Sequence, residues 1–224
     1  MKLLLTSGGV TNPSIEAALV DLLGRPIAEC DALCVPTAQY AHPWVGPGVK
    51  PWGFISGTEP HAMTALGWRS VGVLELTALP SIPRELWEPT VREADVLLAA
   101  GGDAAYLAHW MRESGLADLL PELDAVWVGL SAGSMVMTPR VGADFVQWEP
   151  LIGDDRQLGL VDFCLCPHLA ADGEPGNSMA ECEAWAAGIG HPAYIVDDQT
   201  ALVVTDAGVE VVSEGRWRYV EPAS

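Results

Sequence analysis

Short apolar runs separated by helix-compatible stretches set the architecture that this chain predicts. Residues 2–6, 31–36, 70–76, 95–99 and 125–130 are brief and mostly apolar, with little polar alternation, as expected of strands covered on both faces. Between them, residues 13–23, 83–94 and 104 to about 113 read as helices, the first with Asn12 as its N-cap and Pro13 at its first helical position. Strand and helix in alternation predict an α/β fold, a mostly parallel sheet with helices on both faces.

The pattern changes after about residue 138. Residues 138–159, punctuated by Pro and Gly, show no period and read as a functional loop. Residues 160–166 read as another strand and 177–188 as a helix. Three short runs at 194–196, 201–204 and 209–212 fit an antiparallel meander at the C-terminal end. Tyr40, His42, Trp44, Trp52 and Phe54 lie among Gly and Pro, which predicts a packed Ω-loop over the sheet, with a pocket wall as the alternative. No repeat, linker or low-complexity tract interrupts residues 1–224, so a single domain is expected.

Composition narrows the partners. Lys plus Arg number 11 against 30 Asp plus Glu, a formal charge of −19, so phosphate backbones and anionic membrane surfaces are repelled and no nucleic acid or membrane partner is expected. The first residues carry one Lys and three leucines, too short for a signal-peptide core, and no run approaches the ~18 apolar residues of a membrane span. A cytoplasmic protein, monomeric or homodimeric, is expected. Cys30, Cys34, Cys164, Cys166 and Cys182 lack the paired spacing of a zinc site and read as buried, reduced thiols, so neither metal nor cofactor is expected.

The strongest chemical signal is Gly129-Leu130-Ser131-Ala132-Gly133, a G-x-S-x-G between an apolar strand and a helix-compatible run. In that context it is a nucleophile elbow, which holds the serine hydroxyl at the C-terminal edge of a sheet. A serine nucleophile needs a base. Of five histidines, His168 in Cys164-Leu-Cys-Pro-His168 lies just past a predicted strand, at the edge expected for Ser131. Asp144, between Ser131 and His168 and followed by apolar Phe145-Val146, is the preferred acid; Glu149 and the Asp154-Asp155 pair share its loop. The backbone amide of Ala132 is expected as one oxyanion donor and that of Gly102, in Gly101-Gly102-Asp103, as the second.

Taken together, the glycine turn, the elbow and Pro167-His168 resemble the peptidase E (aspartyl dipeptidase) family, whose relatives include cyanophycinase, over about residues 95–199. The resemblance implies a flavodoxin-like sheet related to class I glutamine amidotransferases, with serine replacing cysteine, and a triad in the order Ser, Asp or Glu, His. It implies a peptidase of dipeptides or short peptides. Two departures stand out. The family turn commonly reads Gly-Gly-Gly-Asn, where this chain has Ala100-Gly101-Gly102-Asp103. Peptidase E also reads an N-terminal aspartate with an arginine on the helix after the catalytic histidine, whereas residues 177–185 here hold no Arg or Lys. Two other readings remain open: an esterase or amidase with the same triad, and an inactive amidotransferase-like binding protein.

Overall fold

The computed structural model describes residues 1–41, 49–60, 62–151, 153–170 and 176–222. The strands β1 (Lys2–Thr6), β2 (Asp31–Val35), β3 (Ser70–Val73), β4 (Val96–Ala99) and β5 (Val126–Leu130) are mutually parallel. With β8 (Thr200–Thr205) and β9 (Gly208–Ser213) they form a seven-stranded sheet of order β3-β2-β4-β5-β1-β8-β9, in which β8 runs antiparallel to both neighbours. A second sheet, β10-β7-β6, contains β6 (Cys164–Cys166), β7 (Ala193–Val196) and β10 (Trp217–Val220).

Side chains of the central strands alternate between two cores, because successive residues of a strand point to opposite faces. Leu3, Leu5, Leu33, Val35, Leu97, Ala99 and Trp127 enter one core with α3 (Arg84–Glu93), α4 (Ala104–Glu113) and α5 (Leu116–Leu119). Leu4, Ala32, Cys34, Val96, Leu98, Val126 and Val128 enter the other with α1 (Pro13–Leu23) and Phe54. Both faces are buried, so apolar residues run without alternation, and the mostly parallel α/β fold expected from the sequence is the one observed.

Local signals place several ends. Asn12 accepts from the Ile15 amide at 3.0 Å as N-cap of α1. The helix α7 (Met179–Ile189) opens with a capping box in which Ser178 and Glu181 satisfy each other's backbone donors.

Other expectations are corrected. The strand foreseen at 160–166 covers only Cys164–Cys166: Leu160 is exposed and Val161 and Phe163 reach the core from turns. The meander is not continuous, because β7 leaves the main sheet to lie parallel to β6, with Cys166 opposite Ile195, while β8 and β9 form a hairpin on β1. β10 is not among the strands expected from the sequence: at four mostly exposed residues, Trp217–Val220, it is too short for its alternation to stand out. In the aromatic segment, α2 (Val49–Ser56) is a helix rather than loop; Phe54 is fully buried and Trp52 largely exposed. His42 and Trp44 lie outside the described residues.

Candidate active site

Ser131 stands immediately past β5 at the C-terminal edge of the main sheet, with φ 49° and ψ −111°. The elbow is held from three sides. The Ser131 amide donates to Thr6 O at 3.1 Å, and Ser134 Oγ donates to the same carbonyl at 2.7 Å. Thr6 Oγ1 donates to Gly129 O at 2.6 Å, and the indole of fully buried Trp127 donates to Gly133 O at 2.8 Å. A Cβ at Gly129 would lie 2.3 Å from Gly133 O, so only glycine lets the strand pass this close to the turn behind it. From there α6 (Ala132–Met135) begins, leaving the Ala132 amide outside the helical ladder: the first bonds to Ser131 O come from Ser134 and Met135.

His168 Nε2 is 2.9 Å from Ser131 Oγ, and His168 Nδ1 is 2.8 Å from Asp198 Oδ1. His168 and Asp198 both follow strands of the second sheet. β6 ends at Cys166 and its parallel neighbour β7 at Val196, so His168 and Asp198 each stand two residues beyond adjacent strand ends. Among the described residues, Ser131 and His168 (φ 57°) are the non-glycine residues with positive φ. Each such conformation costs on the order of 1–3 kcal/mol and persists where its surroundings over-determine it. About half of each side chain in the His168–Asp198 pair is exposed, 46 % and 53 %.

The acid expected from the sequence is therefore corrected: the structure sets Asp198, not Asp144, against His168. Asp144 is exposed on the 3₁₀ turn Ala143–Phe145, and Glu149 is exposed on the turn Glu149–Leu151. Asp155 accepts a bidentate pair from Arg140, at 3.0 Å from Nε and 2.8 Å from Nη2, plus the Gly142 amide at 3.0 Å. Asp154 pairs with Arg156, whose guanidinium holds its carboxyl down at about 2. These acids shape the 138–159 loop. The sequence does not single out Asp198, because the strand before it reads as part of a meander. Its signal was the pair Asp197-Asp198 directly after a strand, at the edge that carries His168.

The glycine turn after β4 lies at the same edge. Gly101 and Gly102 line one cavity with Ser131, His168 and Asp198, and Gly102 has φ 135°. Buried Asp103 caps α4 through the Tyr106 amide at 2.8 Å and accepts from the Gln147 and Trp148 amides at 3.1 and 2.9 Å. It thus fastens the 138–159 loop to the glycine turn, which places Phe145 and Gln147 on the cavity wall. Of the other histidines, His109 on α4 meets Trp110 edge-on and Trp148 at a tilt, and His191 follows α7; His42 and His61 lie outside the described residues.

The cavity measures about 590 Å³. That is the scale of a small-molecule site, roughly 300–1,000 Å³. Its far wall carries Gln39, Lys50, Glu59 and Pro60. Burial pushes the Glu59 carboxyl up, opposed by the nearby Lys50 charge and a hydrogen bond from Gln39. Helix α7 contains neither Arg nor Lys, so Lys50 is the Lys or Arg on the cavity wall among the described residues.

A family model for peptidase family S51 matches residues 3–212. Two solved structures share the fold. One is a candidate peptidase E protein from Listeria monocytogenes EGD-e, 16 % identical with a TM-score of 0.69, covering 96 % of this chain and 98 % of that one. The other is a peptidase from an acI-B1 Actinobacterium, 16 % identical with a TM-score of 0.66, covering 100 % of this chain and 95 % of that one. Among curated proteins, none matches the sequence.

Proposed function

The chain belongs to peptidase family S51, and on that premise we propose that it is a serine peptidase hydrolysing dipeptides or short peptides through Ser131, His168 and Asp198. The observation that carries this reading is the unbroken relay of 2.9 Å from Ser131 Oγ to His168 Nε2 and 2.8 Å from His168 Nδ1 to Asp198 Oδ1.

With Asp198 accepting from Nδ1–H, the bare Nε2 faces the serine hydroxyl. Ser131 Oγ attacks the scissile carbonyl as Nε2 takes its proton, and Asp198 stabilises the imidazolium that forms. The oxyanion is received by the amides of Ala132 and Gly102; one such donor contributes about 10²–10³ in rate. Nε2–H then protonates the leaving amine, and water repeats the sequence on the acyl-enzyme to release the acid.

The limited volume and the charged wall favour substrates short enough to present a terminus. Without a cation on α7, an N-terminal aspartate would lose the partner that offsets its desolvation there. Preference for aspartyl substrates is therefore not part of the proposal.

The test is fluorophosphonate labelling of wild type and Ser131→Ala, read by intact mass, followed by dipeptide profiling. A single adduct absent from the variant, with dipeptide turnover, is the expected result. A folded wild type that takes no adduct, or a variant that retains full turnover, would overturn it.

A further inference from the structure

The turn after β1, Ser7-Gly8-Gly9, plays no part in the chemistry just described, yet it touches two of the three residues that do. Ser7 is fully buried. Its hydroxyl donates to Asp198 Oδ1 at 2.6 Å and accepts from the backbone amide of His168 at 2.8 Å. A serine hydroxyl has one proton to give and lone pairs to receive with, so this single group ties the acid to the backbone of the base.

The surrounding residues make the same connection. A Cβ at Gly8 would lie 2.8 Å from Asp198 Cβ and 2.9 Å from Cγ, so the turn admits the aspartate only because position 8 is glycine. Thr11 Oγ1 donates to Asp198 O at 2.6 Å, and Asn12 Nδ2 donates to Gln199 O at 3.0 Å. The β1–α1 connection thus grips the β7–β8 turn by backbone and by side chain.

The need for such a grip follows from exposure. About half of the Asp198 and His168 side chains faces solvent, where water competes for every hydrogen bond and a carboxylate on a turn has several rotamers to visit. His168 also holds a left-handed backbone, φ 57°, which requires external support.

We propose that Ser7 is a positioning residue of the triad that acts through Asp198, holding its Oδ1 against His168 Nδ1. Productive alignment of the imidazole then depends on a buried hydroxyl on a third segment of the chain. The proposal rests on the reading of Ser131, His168 and Asp198 as the catalytic set.

A double-mutant cycle tests it without knowledge of the natural substrate. The second-order rate constant for phosphonylation of Ser131 by a fluorophosphonate is measured for wild type, Ser7→Ala, Asp198→Ala and the double variant, each checked for native circular dichroism. Ser7→Ala should slow labelling about 10- to 100-fold in the wild-type background and less than about 3-fold in the Asp198→Ala background, because a residue acting through Asp198 has little left to act on once that carboxylate is gone. Ser7→Cys, which keeps the shape with a weaker donor, should fall between serine and alanine and serves if the alanine variant does not fold. An equal penalty in both backgrounds, or a wild-type rate in Ser7→Ala and Ser7→Cys, would overturn the role. Wild type that takes no label fails at the earlier step: it removes the triad itself, and Ser7's part with it.

Discussion

Asp198 Oδ1 lies 2.8 Å from His168 Nδ1, and each residue stands two past the end of its strand, β7 and β6, which are parallel neighbours. Parallel pairing brings both strand ends to the same edge, so the two side chains meet without any long excursion of the loops.

The first prediction separates Asp198 from the acid foreseen in the sequence. Asp198→Asn keeps the shape but favours the wrong imidazole tautomer, and should lower kcat by about 10³–10⁴-fold. Asp144→Asn should leave kcat within about 2-fold of wild type. Steady-state kinetics on any dipeptide that is turned over will decide between them; the reverse ranking would restore Asp144.

The cavity wall gives the second. Lys50→Met retains most of the side-chain stem and removes the charge. KM for short peptides with a free carboxylate should rise about 10-fold, the scale of one partly exposed charge-assisted contact, with kcat little changed. Hydrolysis of an uncharged ester should be unaffected. Equal KM values for the carboxylate-bearing peptides would remove Lys50 from substrate recognition.

Elbow packing gives the third. Gly129→Ala sets a Cβ 2.3 Å from Gly133 O, a backbone atom that cannot step aside without moving Ser131. The cost should exceed about 3 kcal/mol, seen as a lowered denaturant midpoint or as failure to accumulate folded protein. A variant of wild-type stability would show that the elbow relaxes more freely than this geometry allows.

A fourth concerns acid stability. Asp31, at the start of β2, accepts from Arg69 Nε and Ser70 Oγ, both at 2.8 Å, at the start of β3. Those bonds, with the Arg69 charge, hold its carboxyl down at about 2. A carboxyl depressed in the folded state contributes stability that is fully present above its unfolded value near 4 and is lost as pH falls toward 2. Asp31→Asn should therefore lower the thermal midpoint by on the order of 1–3 °C at pH 6 and by less at pH 2. A difference that grew on acidification would contradict the sign.

What could be read from the sequence divides along physical lines. Strands β1, β2, β4 and β5 are buried on both faces, so their apolar runs are conspicuous and the elbow that follows β5 inherits their certainty. The place of His168 just past a strand is legible too, although that strand is only Cys164–Cys166. That of Asp198 is not, because it depends on which sheet β7 joins, and a short apolar strand looks the same in a meander as beside β6. α2 was hidden by Pro51 and Gly53, which read as breakers; Pro51 sits in its first turn, where its missing donor is harmless. Ser7 was hidden altogether, since nothing local distinguishes a serine that caps a turn from one that reaches another segment.

The division of labour between the two sheets has a temporal consequence. The nucleophile's supports, Thr6, Trp127 and the elbow glycine, all lie within the first 133 residues, whereas the base and acid hang from β6 and β7. A chain emerging from the ribosome therefore carries its serine hydroxyl for 37 residues of further synthesis before His168 exists, and for 30 more before Asp198 does. On the proposed triad, reactivity therefore arrives last: a chain ended before His168 holds Ser131 without either residue that would activate it.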